Sequence, residues 1–477
     1  MNDHTTTLTN DGPGKRPRLA GTARGSEDSP SEQGFAATSN GERQGPVVAA
    51  NQIWKVQFIL KENETASEVP SFSPVFTHQI FEDEEIRGYC NPRLLQIYDA
   101  VTLHCYLRFS FDSVSGCTRE VTSVLPRIEA LLAQCGGFTS DWDTFQRVRQ
   151  ESCQPEMDAL TRIHTYARGG QEFGVYEGRL CSETDSPAQR SLRALHRRMQ
   201  FLTLLYIDAA SFIDDQDPRW LLLLVRSLAD QRLVGYAAVY RFPAVQKMRD
   251  FEPNQERWRL AQLLILPSYQ RAGHGSVLLK ALYQRAQSVF EEEGRRVLEV
   301  NVEDPSPAFS RMRDLVDLEQ LLTRDSECQR WARSITACSA LPATAELTRL
   351  AQRLMITVSQ MRRLYEILRL AALFDDGAAH ASKREDLERE YRLAVKRRLY
   401  RDHEECFGLK DEEERKQMLS EMYQSLLVES YEPTIKVAQR RGLLPVRTVE
   451  SLAIQRELAS GPSTTNTHPP VLERTPT

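Results

Sequence analysis

A short loop in the middle of the chain has the composition of an anion-binding site. The apolar run 263–266 leads into residues 267–276, where Gly273 and Gly275 are separated by one histidine. Glycine lets the backbone approach a ligand closely, and the N–H groups that begin a following helix attract negative charge. A pyrophosphate fits such a site, although a tight strand-to-helix turn explains the same pattern equally well. The loop has neither the third glycine of a dinucleotide-binding fingerprint nor the Gly-Lys-Ser/Thr ending of a P-loop.

The loop resembles the cofactor-binding signature of the GNAT acetyltransferase superfamily. Residues 270–275, Gln-Arg-Ala-Gly-His-Gly, match the pattern Q/R-x-x-G-x-G/A. The wider string 261–275 is similar to that of the type B histone acetyltransferases, including the histidine between the glycines. The resemblance covers about residues 50–430 and neither tail, and four further segments agree with it in order: 209–214, 234–240, 302–306 and 362–370.

The resemblance implies that acetyl-CoA is the cosubstrate, with no metal. Backbone groups of Leu264, Ile265 and Leu266 would then bind the acetyl carbonyl and the pantetheine arm, and Ser306 would lie near that arm. The pyrophosphate would be held by the loop and the first helical turn, namely Gln270, Arg271, Ala272, Gly273, His274, Gly275, Ser276 and Val277. We interpret His274 as a positional residue and not as a catalytic one.

Acetyl transfer to lysine needs a base, because a free lysine has a pKa of about 10.4 and is protonated at neutral pH. A carboxylate whose pKa is raised by burial suits this task. The resemblance implies Glu303 as the general base, and strand alternation predicts that it shares a face with Glu299 and Asn301. Asp304 and Asp208 are secondary candidates, and relatives favour the longer Glu at position 208.

Direct attack by the lysine on the thioester, in a ternary complex, is expected in preference to an acyl-enzyme. None of the nine cysteines matches a nucleophile of the family. Their number is odd, their spacing is irregular and no C-x-x-C pair occurs, so neither a disulfide framework nor a zinc site is predicted. A reducing compartment, the cytoplasm or the nucleus, fits this cysteine usage.

Two regions are candidates for binding a peptide substrate. The run 82–85 contains four consecutive carboxylates, which most often form a solvated loop. The resemblance implies that Asp83, Glu84 and Glu85 contact the tail of histone H4, and that a second contact comes from Tyr240, Arg241 and Phe242. Relatives more often have Asn or Tyr where this chain has Arg241. The implied partners are the H4 tail with its histone partner and a WD-repeat propeller chaperone.

Two alternatives to a type B histone acetyltransferase stay open at this point. One is a GNAT enzyme that acts on another protein or on a small amine, and the other is a non-catalytic acyl-CoA-binding scaffold or histone chaperone. A separate N-terminal domain and the acidic run argue against a small substrate, which needs only a closed pocket. The retained Glu303 and Asp304 weigh against a non-catalytic protein.

The candidate site residues must be positioned by strands and helices. The order of the predicted elements, together with the resemblance, indicates an α+β protein with a GNAT-type mixed central sheet flanked by helices. Strands are expected at 54–60, 103–111, 221–225, 234–242, 258–266 and 297–303. An amphipathic helix should follow the glycine loop and end at Gly294, and helices are predicted near 190–203 and at 347–373, 386–400 and 412–427. The expected domains are a disordered tail (1–48), an N-terminal α+β domain (49–185), the catalytic domain (186–325), a C-terminal helical domain (340–460) and a second disordered tail (461–477).

Composition and charge favour a soluble globular protein that binds neither membranes nor nucleic acid directly. The hydrophobic fraction is 41%, and no apolar run approaches the roughly 18 residues of a membrane span. The net charge of −5 argues against a general nucleic-acid binder and is compatible with a basic peptide substrate. No secretory signal is expected at the N-terminus. The basic cluster 15–18 is either a nuclear localisation signal or part of a solvated tail.

Overall fold

The computed structural model describes residues 46–60, 69–114, 121–151, 154–181, 185–244, 254–331, 344–373, 381–408 and 410–445. The predicted tails 1–48 and 461–477 therefore lie outside the described residues, except for residues 46–48, and so does the basic cluster 15–18. The described chain has an α+β fold, which confirms the predicted class.

The N-terminal part is built on a three-stranded sheet in the order β2-β5-β6, with β2 parallel to β5. Buried Trp54, Val56 and Ile59 explain why the predicted strand at 54–60 forms. The elements are β1 (Val47–Ala49), α1 (Ala50–Ile53), β2 (Trp54–Ile59), β3 (Glu85–Arg87), β4 (Tyr89–Cys90), β5 (Arg93–Asp99), β6 (Cys105–Ser110), β7 (Ser113–Val114), α2 (Val124–Gln134) and α3 (Trp142–Glu151).

The central sheet has six strands in the order β13-β12-β11-β10-β9-β8, and all neighbours are antiparallel except β12 and β13. The predicted hairpin corresponds to β10 and β11, and the predicted strand–loop–helix–strand unit corresponds to β12, α5 and β13. The elements are β8 (Thr161–Arg168), β9 (Gln171–Arg179), α4 (Pro187–Tyr206), β10 (Trp220–Ser227), β11 (Leu233–Pro243), β12 (Gln255–Ile265), α5 (His274–Glu293) and β13 (Arg296–Val302).

Helices cover both faces of this sheet. On the α5 face, Trp258 and Leu260 pack in one core with Leu278 and Leu282 of α5. On the α4 face, sheet residues such as Tyr236 and Leu264 pack in a second core with the apolar side of α4. Helix α5 ends as predicted at Gly294, whose φ of 65° is the left-handed conformation that glycine adopts without strain.

A β-bulge in β12 changes which face its side chains reach. Ala238 of β11 pairs with Gln262 and Val239 pairs with Leu260, so Ala261 is an extra residue in β12. An extra residue reverses the alternation of a strand beyond it. Trp258 and Leu260 therefore lie in the core on the α5 face, whereas Leu264 lies in the core on the α4 face.

The C-terminal part is helical, and its first helix continues directly from the end of the central sheet. The predicted helix 347–373 is two helices, because Met355, with a positive φ of 55°, lies between them. Gln360 and Arg363 bind the fully buried Asp314 and so attach the later helices to α6. The elements are α6 (Pro307–Arg324), α7 (Ser326–Trp331), α8 (Thr344–Leu354), α9 (Val358–Leu373), α10 (Ala381–Asp402), α11 (Glu404–Phe407), α12 (Glu412–Ser425), a π-helical turn (Leu426–Tyr431) and α13 (Glu432–Arg440).

Strands β8 and β9 lie within the predicted N-terminal domain, 49–185, but they pair with the strands of the central sheet. The domain boundaries themselves stay a prediction. Within the part of the chain that the structure describes, none of the helices combines the length and the apolar character that crossing a bilayer requires.

Candidate active site

Strands β12 and β13 separate in the middle of β12 and leave a gap. Their parallel pairing ends at Leu260 and Val302, and the N–H of Glu303 still donates to the Leu260 carbonyl at 3.2 Å. Beyond that point β12 continues to pair with β11 as far as Ile265. Within the described residues, the other edge of 261–265 has no strand partner. The gap therefore exposes backbone groups that an extended ligand can bind.

The hydrogen bonds of β12 decide which residues face this open edge. The N–H of Leu266 donates to Val234 of β11 at 2.9 Å, and the alternation of an antiparallel pair turns the Leu264 N–H to the same side. The N–H groups of Leu263 and Ile265 consequently point into the gap. Of the three residues expected to bind the pantetheine arm through their backbone, only Ile265 is so placed. Leu264 and Leu266 instead have buried side chains and bond toward β11.

The glycine loop leaves several backbone N–H groups available at the start of α5. Gly273 precedes the helix with a φ of 91°, and no side chain caps the first turn. The N–H of Val277 already donates to Gly273, at 3.3 Å, so the amides of His274, Gly275 and Ser276 are the ones without a helical partner. Three amides at a positive helix end form an anion site of the kind that a pyrophosphate needs.

Gln270 and His274 hold this loop in place. The Gln270 side chain donates to the Ile265 carbonyl at 2.9 Å, which ties the loop to the end of β12. His274 is buried, and its Nδ1 lies 2.6 Å from the hydroxyl of Tyr166 on β8. Burial lowers the pKa of His274, and Arg168 lowers it further, so the imidazole is neutral near pH 7. Its contacts agree with a positional role.

Arg168 is a residue that the sequence interpretation missed. It ends β8 at the turn Gly169–Gly170, and its guanidinium lies 3.6–3.8 Å from the position that a Cβ atom would take on Gly273. The side chain is exposed, so its charge is available to a ligand on the loop. Arg168 is 105 residues from Gly273 in the sequence. Only knowledge that β8 is the far edge of the folded sheet would have predicted the proximity.

Glu303 lies on the α4 side of the sheet, at the mouth of the gap. Its Oε1 is 3.8 Å from Nη1 of Arg259 in β12, and Glu299 makes a similar pair with Arg257 at 3.4 Å. These two pairs agree with the predicted shared face of Glu299 and Glu303. The Glu303 side chain is 52% exposed, so the burial that would suit a general base does not come from the protein alone. The strand ends at Val302, one residue earlier, which explains the exposure.

Aromatic side chains continue from Glu303 along the same side. The guanidinium of Arg259 lies 4.7 Å from the ring centre of Phe242, and the rings of Phe242 and Tyr240 are 4.5 Å apart. The Tyr240 hydroxyl donates to Asp217 at 2.9 Å. Glu303, Phe242 and Tyr240 thus border one continuous surface.

Arg241 is not part of that surface, which corrects its grouping with Tyr240 and Phe242. It points to the α5 side, because neighbouring residues of a strand face opposite ways. Its side chain is 6% exposed and forms ion pairs with Glu256 at 2.9 Å and with Glu293 at 3.1 Å. The same alternation was available from the sequence.

The acidic run is only partly free to bind a substrate. Glu84 accepts hydrogen bonds from the backbone N–H groups of Thr77 and His78, and these bonds lower its pKa. Glu85 pairs with Arg87. Asp83 also lies 3.7 Å from Arg87, but it is the most exposed of the three predicted contacts, with 76% of its side chain accessible. Glu84 stabilises its own loop, and Asp83 is the better candidate for an interaction with a basic peptide.

Asp208 lies close to this acidic loop. Its carboxylate is 3.5 Å from Nε2 of His78, whose other ring nitrogen is 3.6 Å from Glu84. The segment that follows Asp208 is tied to β12, because Gln262 donates to the Ser211 carbonyl at 2.9 Å. The structure therefore links the acidic loop and Asp208 to the strand that borders the gap. His78 is a further residue that the sequence interpretation missed.

Asp304 and Ser306 connect the gap to α6. Asp304 is exposed and has a positive φ of 35°, which turns the chain away from β13. Ser306 caps α6, and its hydroxyl accepts the N–H of Phe309 at 3.2 Å. The hydroxyl proton of Ser306 is still available for donation toward a ligand. Among the residues described, no group of three or more His, Cys, Asp or Glu side chains is arranged to hold a metal ion.

Family models match two overlapping parts of the chain. Residues 46–208 match the model described as histone acetyl transferase HAT1 N-terminus, and residues 189–308 match the acetyltransferase (GNAT) family. The second match contains the gap, the glycine loop, Glu303 and Ser306. The resemblance drawn from the sequence is confirmed by these models, as is the prediction of an acetyltransferase with a GNAT-type sheet.

Curated relatives are similar over most of the chain. A histone acetyltransferase type B catalytic subunit of Eremothecium gossypii is 28% identical over 83% of this chain and 93% of its own length. The subunit of the same description from Homo sapiens is 27% identical over 73% of this chain and 79% of its own. Among solved structures, an aminoglycoside acetyltransferase from a soil metagenomic sample is similar at 15% identity and a TM-score of 0.20. The match spans 28% of this chain and 78% of the acetyltransferase chain.

Proposed function

We propose that this chain, in which a HAT1-type N-terminal domain precedes a GNAT acetyltransferase domain, transfers acetyl groups from acetyl-CoA to lysines of newly synthesised histone H4. The observation that carries the proposal is the gap between β12 and β13. The gap has an unpaired strand edge, with the carboxylate of Glu303 at one end and the uncapped helix amides beyond the other. This is the arrangement that transfer from a long phosphorylated thioester to an amine requires.

The residues present fit acetyl-CoA. The amides of His274, Gly275 and Ser276, with Arg168 beside them, would bind the pyrophosphate. The N–H groups of Leu263 and Ile265 would bind the pantetheine arm as a further strand would be bound, and Ser306 lies at the far side of the gap. When bound, acetyl-CoA supplies the acetyl group as an activated thioester.

The role assigned to Glu303 is to remove one proton from the lysine ammonium, directly or through a water molecule. The lysine nitrogen then forms a C–N bond with the acetyl carbon while the C–S bond breaks. The nitrogen gives up its second proton, and the departing thiolate takes up a proton. Glu303 is half-exposed, so a peptide and cosubstrate that fill the gap would themselves exclude water from it. Asp304 and Asp208 are retained as secondary candidates for proton transfer.

The substrate surface proposed here combines acidic and aromatic groups. Asp83 would attract basic side chains of the H4 tail, and Tyr240 and Phe242 would support the extended peptide beside Glu303. A WD-repeat propeller chaperone that presents H4 with its histone partner is proposed as the physiological assembly, in the cytoplasm and the nucleus. The relatives described as type B catalytic subunits support the histone substrate.

Mass spectrometry of histones tests this function. The purified full-length chain is incubated with acetyl-CoA and with core histones, supplied either as free H3–H4 or as nucleosomes. A parallel incubation with the heat-denatured chain measures non-enzymatic acetylation. Acetylation confined to lysines of free H4 is expected. Equal acetylation of nucleosomes would contradict the type B assignment. If no histone is modified, a GNAT enzyme of another substrate or a non-catalytic CoA-binding protein would explain the domain.

A further inference from the structure

A second polar site lies at the end of the central sheet opposite the glycine loop. A cavity of about 270 Å³ opens there, lined mainly by four arginines with Glu256 and Pro243, the arginines being Arg179, Arg219, Arg241 and Arg295. Gln255, at the start of β12, also borders it. A strand rises about 3.3 Å per residue, so this cavity is roughly 30 Å from the end of β12 at Ile265. The cavity is therefore separate from the proposed acetyl-CoA site.

The arginines outnumber the carboxylates that pair with them. Arg241 and Arg295 share Glu256, and Arg179 and Arg241 share Glu293, which also binds Arg285 from behind the cavity. Arg219 pairs with a third carboxylate, Asp217. At the lining, four guanidinium groups therefore face three carboxylates. Behind it, Arg285 pairs with Glu177 and Glu292 as well as with Glu293, so the charges of the connected ion pairs balance.

All three carboxylates that pair with the lining arginines are charged near neutral pH, so these arginines are fixed by ion pairs between charged groups. The hydrogen bonds of Arg219 lower the pKa of Asp217 to about 2. Burial by itself would raise the pKa of Glu256, but bonds from Arg241, Trp258 and Arg295 bring it below its ordinary value. Burial acts on Glu293 in the same direction, and its pKa is nevertheless lowered by Arg241 and Arg179.

The ion pairs leave several donors of the lining arginines unused. The pairs of Arg219 and Arg241 use their Nε and Nη2 atoms, and those of Arg179 use Nη2. The Nη1 groups of these three residues have no hydrogen-bond partner among the described residues. Arg241 is also held rigidly, because it is buried and its guanidinium lies 5.7 Å from the ring centre of Trp258.

We propose that this arginine-lined cavity is a binding site for a phosphate group. Converging guanidinium donors match the several acceptor oxygens of a phosphate, and a donor fixed by buried ion pairs loses little conformational entropy on binding. The unused guanidinium donors favour an anionic group, which offers only acceptors, over a neutral one. The flanking carboxylates Asp217 and Glu293 disfavour a long polyanion such as nucleic acid, so the ligand is a single phosphate, either as the free ion or as a phosphorylated side chain.

Calorimetric titration of the full-length chain tests the proposal. The probes are inorganic phosphate, a short phosphoserine peptide and its unphosphorylated form, at constant ionic strength and with CoA in excess to occupy the glycine loop. The test variant is Arg179→Gln/Arg295→Gln, since both side chains are about half-exposed. The control Arg349→Gln/Arg401→Gln removes the same charge from half-exposed residues of the C-terminal helices.

Saturable binding of a phosphate probe is expected, weakened at least about tenfold in the test variant and unchanged in the control. Tighter binding of the phosphopeptide would identify a phosphorylated side chain as the ligand, and binding of inorganic phosphate alone would identify the free ion. The proposal is overturned if neither probe binds, or if both double variants lose the same affinity.

Discussion

The guanidinium of Arg168 lies against Gly273, within 3.8 Å of the position that a Cβ atom of that glycine would occupy. The end of the edge strand β8 thus meets the loop that follows β12, where the proposed pyrophosphate would bind. We expect Arg168→Gln to raise the KM for acetyl-CoA about fivefold with little change in kcat, because an exposed charge-assisted contact contributes on the order of 1 kcal/mol.

Steady-state kinetics at two salt concentrations measures this effect, which should diminish as salt screens the charge. Arg162→Gln is the matched control, because Arg162 is exposed at the other end of the same strand. An equal increase of KM in both variants would show a general charge effect and would remove Arg168 from the site.

Gly273 and Gly294 allow the loop geometry to be tested separately from helix stability. Both glycines flank α5 with positive φ, 91° and 65°, so alanine should destabilise the protein at either position by about 1 kcal/mol. Only Gly273→Ala should also weaken CoA binding, because the amides that follow Gly273 are those proposed to bind the pyrophosphate. Thermal unfolding and CoA affinity are measured for both variants. Equal CoA affinity in the two would refute the role of the loop.

Glu303→Gln should lower kcat at least about 100-fold while CoA affinity stays within twofold of the original, since the amide cannot accept the lysine proton. The control is Glu299→Gln, which removes a carboxylate from the same strand face and the same kind of arginine pair. Turnover and CoA binding are measured on the same preparations. Unchanged turnover in Glu303→Gln would exclude this residue as the base and direct attention to Asp304 and Asp208.

The buried imidazole of His196 should make the protein less stable in mild acid. It is fully buried on α4, neither ring nitrogen has a hydrogen-bond partner among the described residues, and burial lowers its pKa from 6.5 to about 4. The unfolded chain therefore binds the proton more readily, and stability is lost as pH falls below 6.5. For this residue the loss is about 2 kcal/mol at pH 5, from the difference between the folded and unfolded pKa values.

His196→Phe and His196→Leu should both unfold with less dependence on pH between 7 and 5, as measured by urea titration. Some acid sensitivity should persist, because burial also lowers the pKa of His104 to about 4. Slopes against pH that match the original protein in both variants would contradict the assignment to His196.

Local patterns in the sequence predicted the elements of the catalytic unit well. The apolar stripe of α5, its glycine end and the alternation of β13 are properties of neighbouring residues, so they can be recognised without the tertiary structure. The glycine loop was found for the same reason. Arg241 was misplaced because the resemblance grouped it with Tyr240 and Phe242, although strand alternation separates them.

Features that depend on register could not be predicted. Ala261 gives no sign in the sequence that it is an extra residue, and the faces reached by Leu260 and Leu264 follow from it. The orientation of the β12 backbone, which selects Ile265 over Leu264 and Leu266, requires the pairing with β11. Arg168 and His78 reach their neighbours through long-range contacts that no local pattern encodes.

The extra residue at Ala261 also bears on how the length of β12 can change during evolution or engineering. Val239 and Ala238 are successive in β11 and already pair with Leu260 and Gln262, so deleting Ala261 would restore simple alternation without moving the side chains from Gln262 to Ile265 to the other face. Leu264 would stay in the interior beside α4, and the N–H groups that line the gap would keep their direction. Position 261 is therefore where β12 should best tolerate the loss of a single codon.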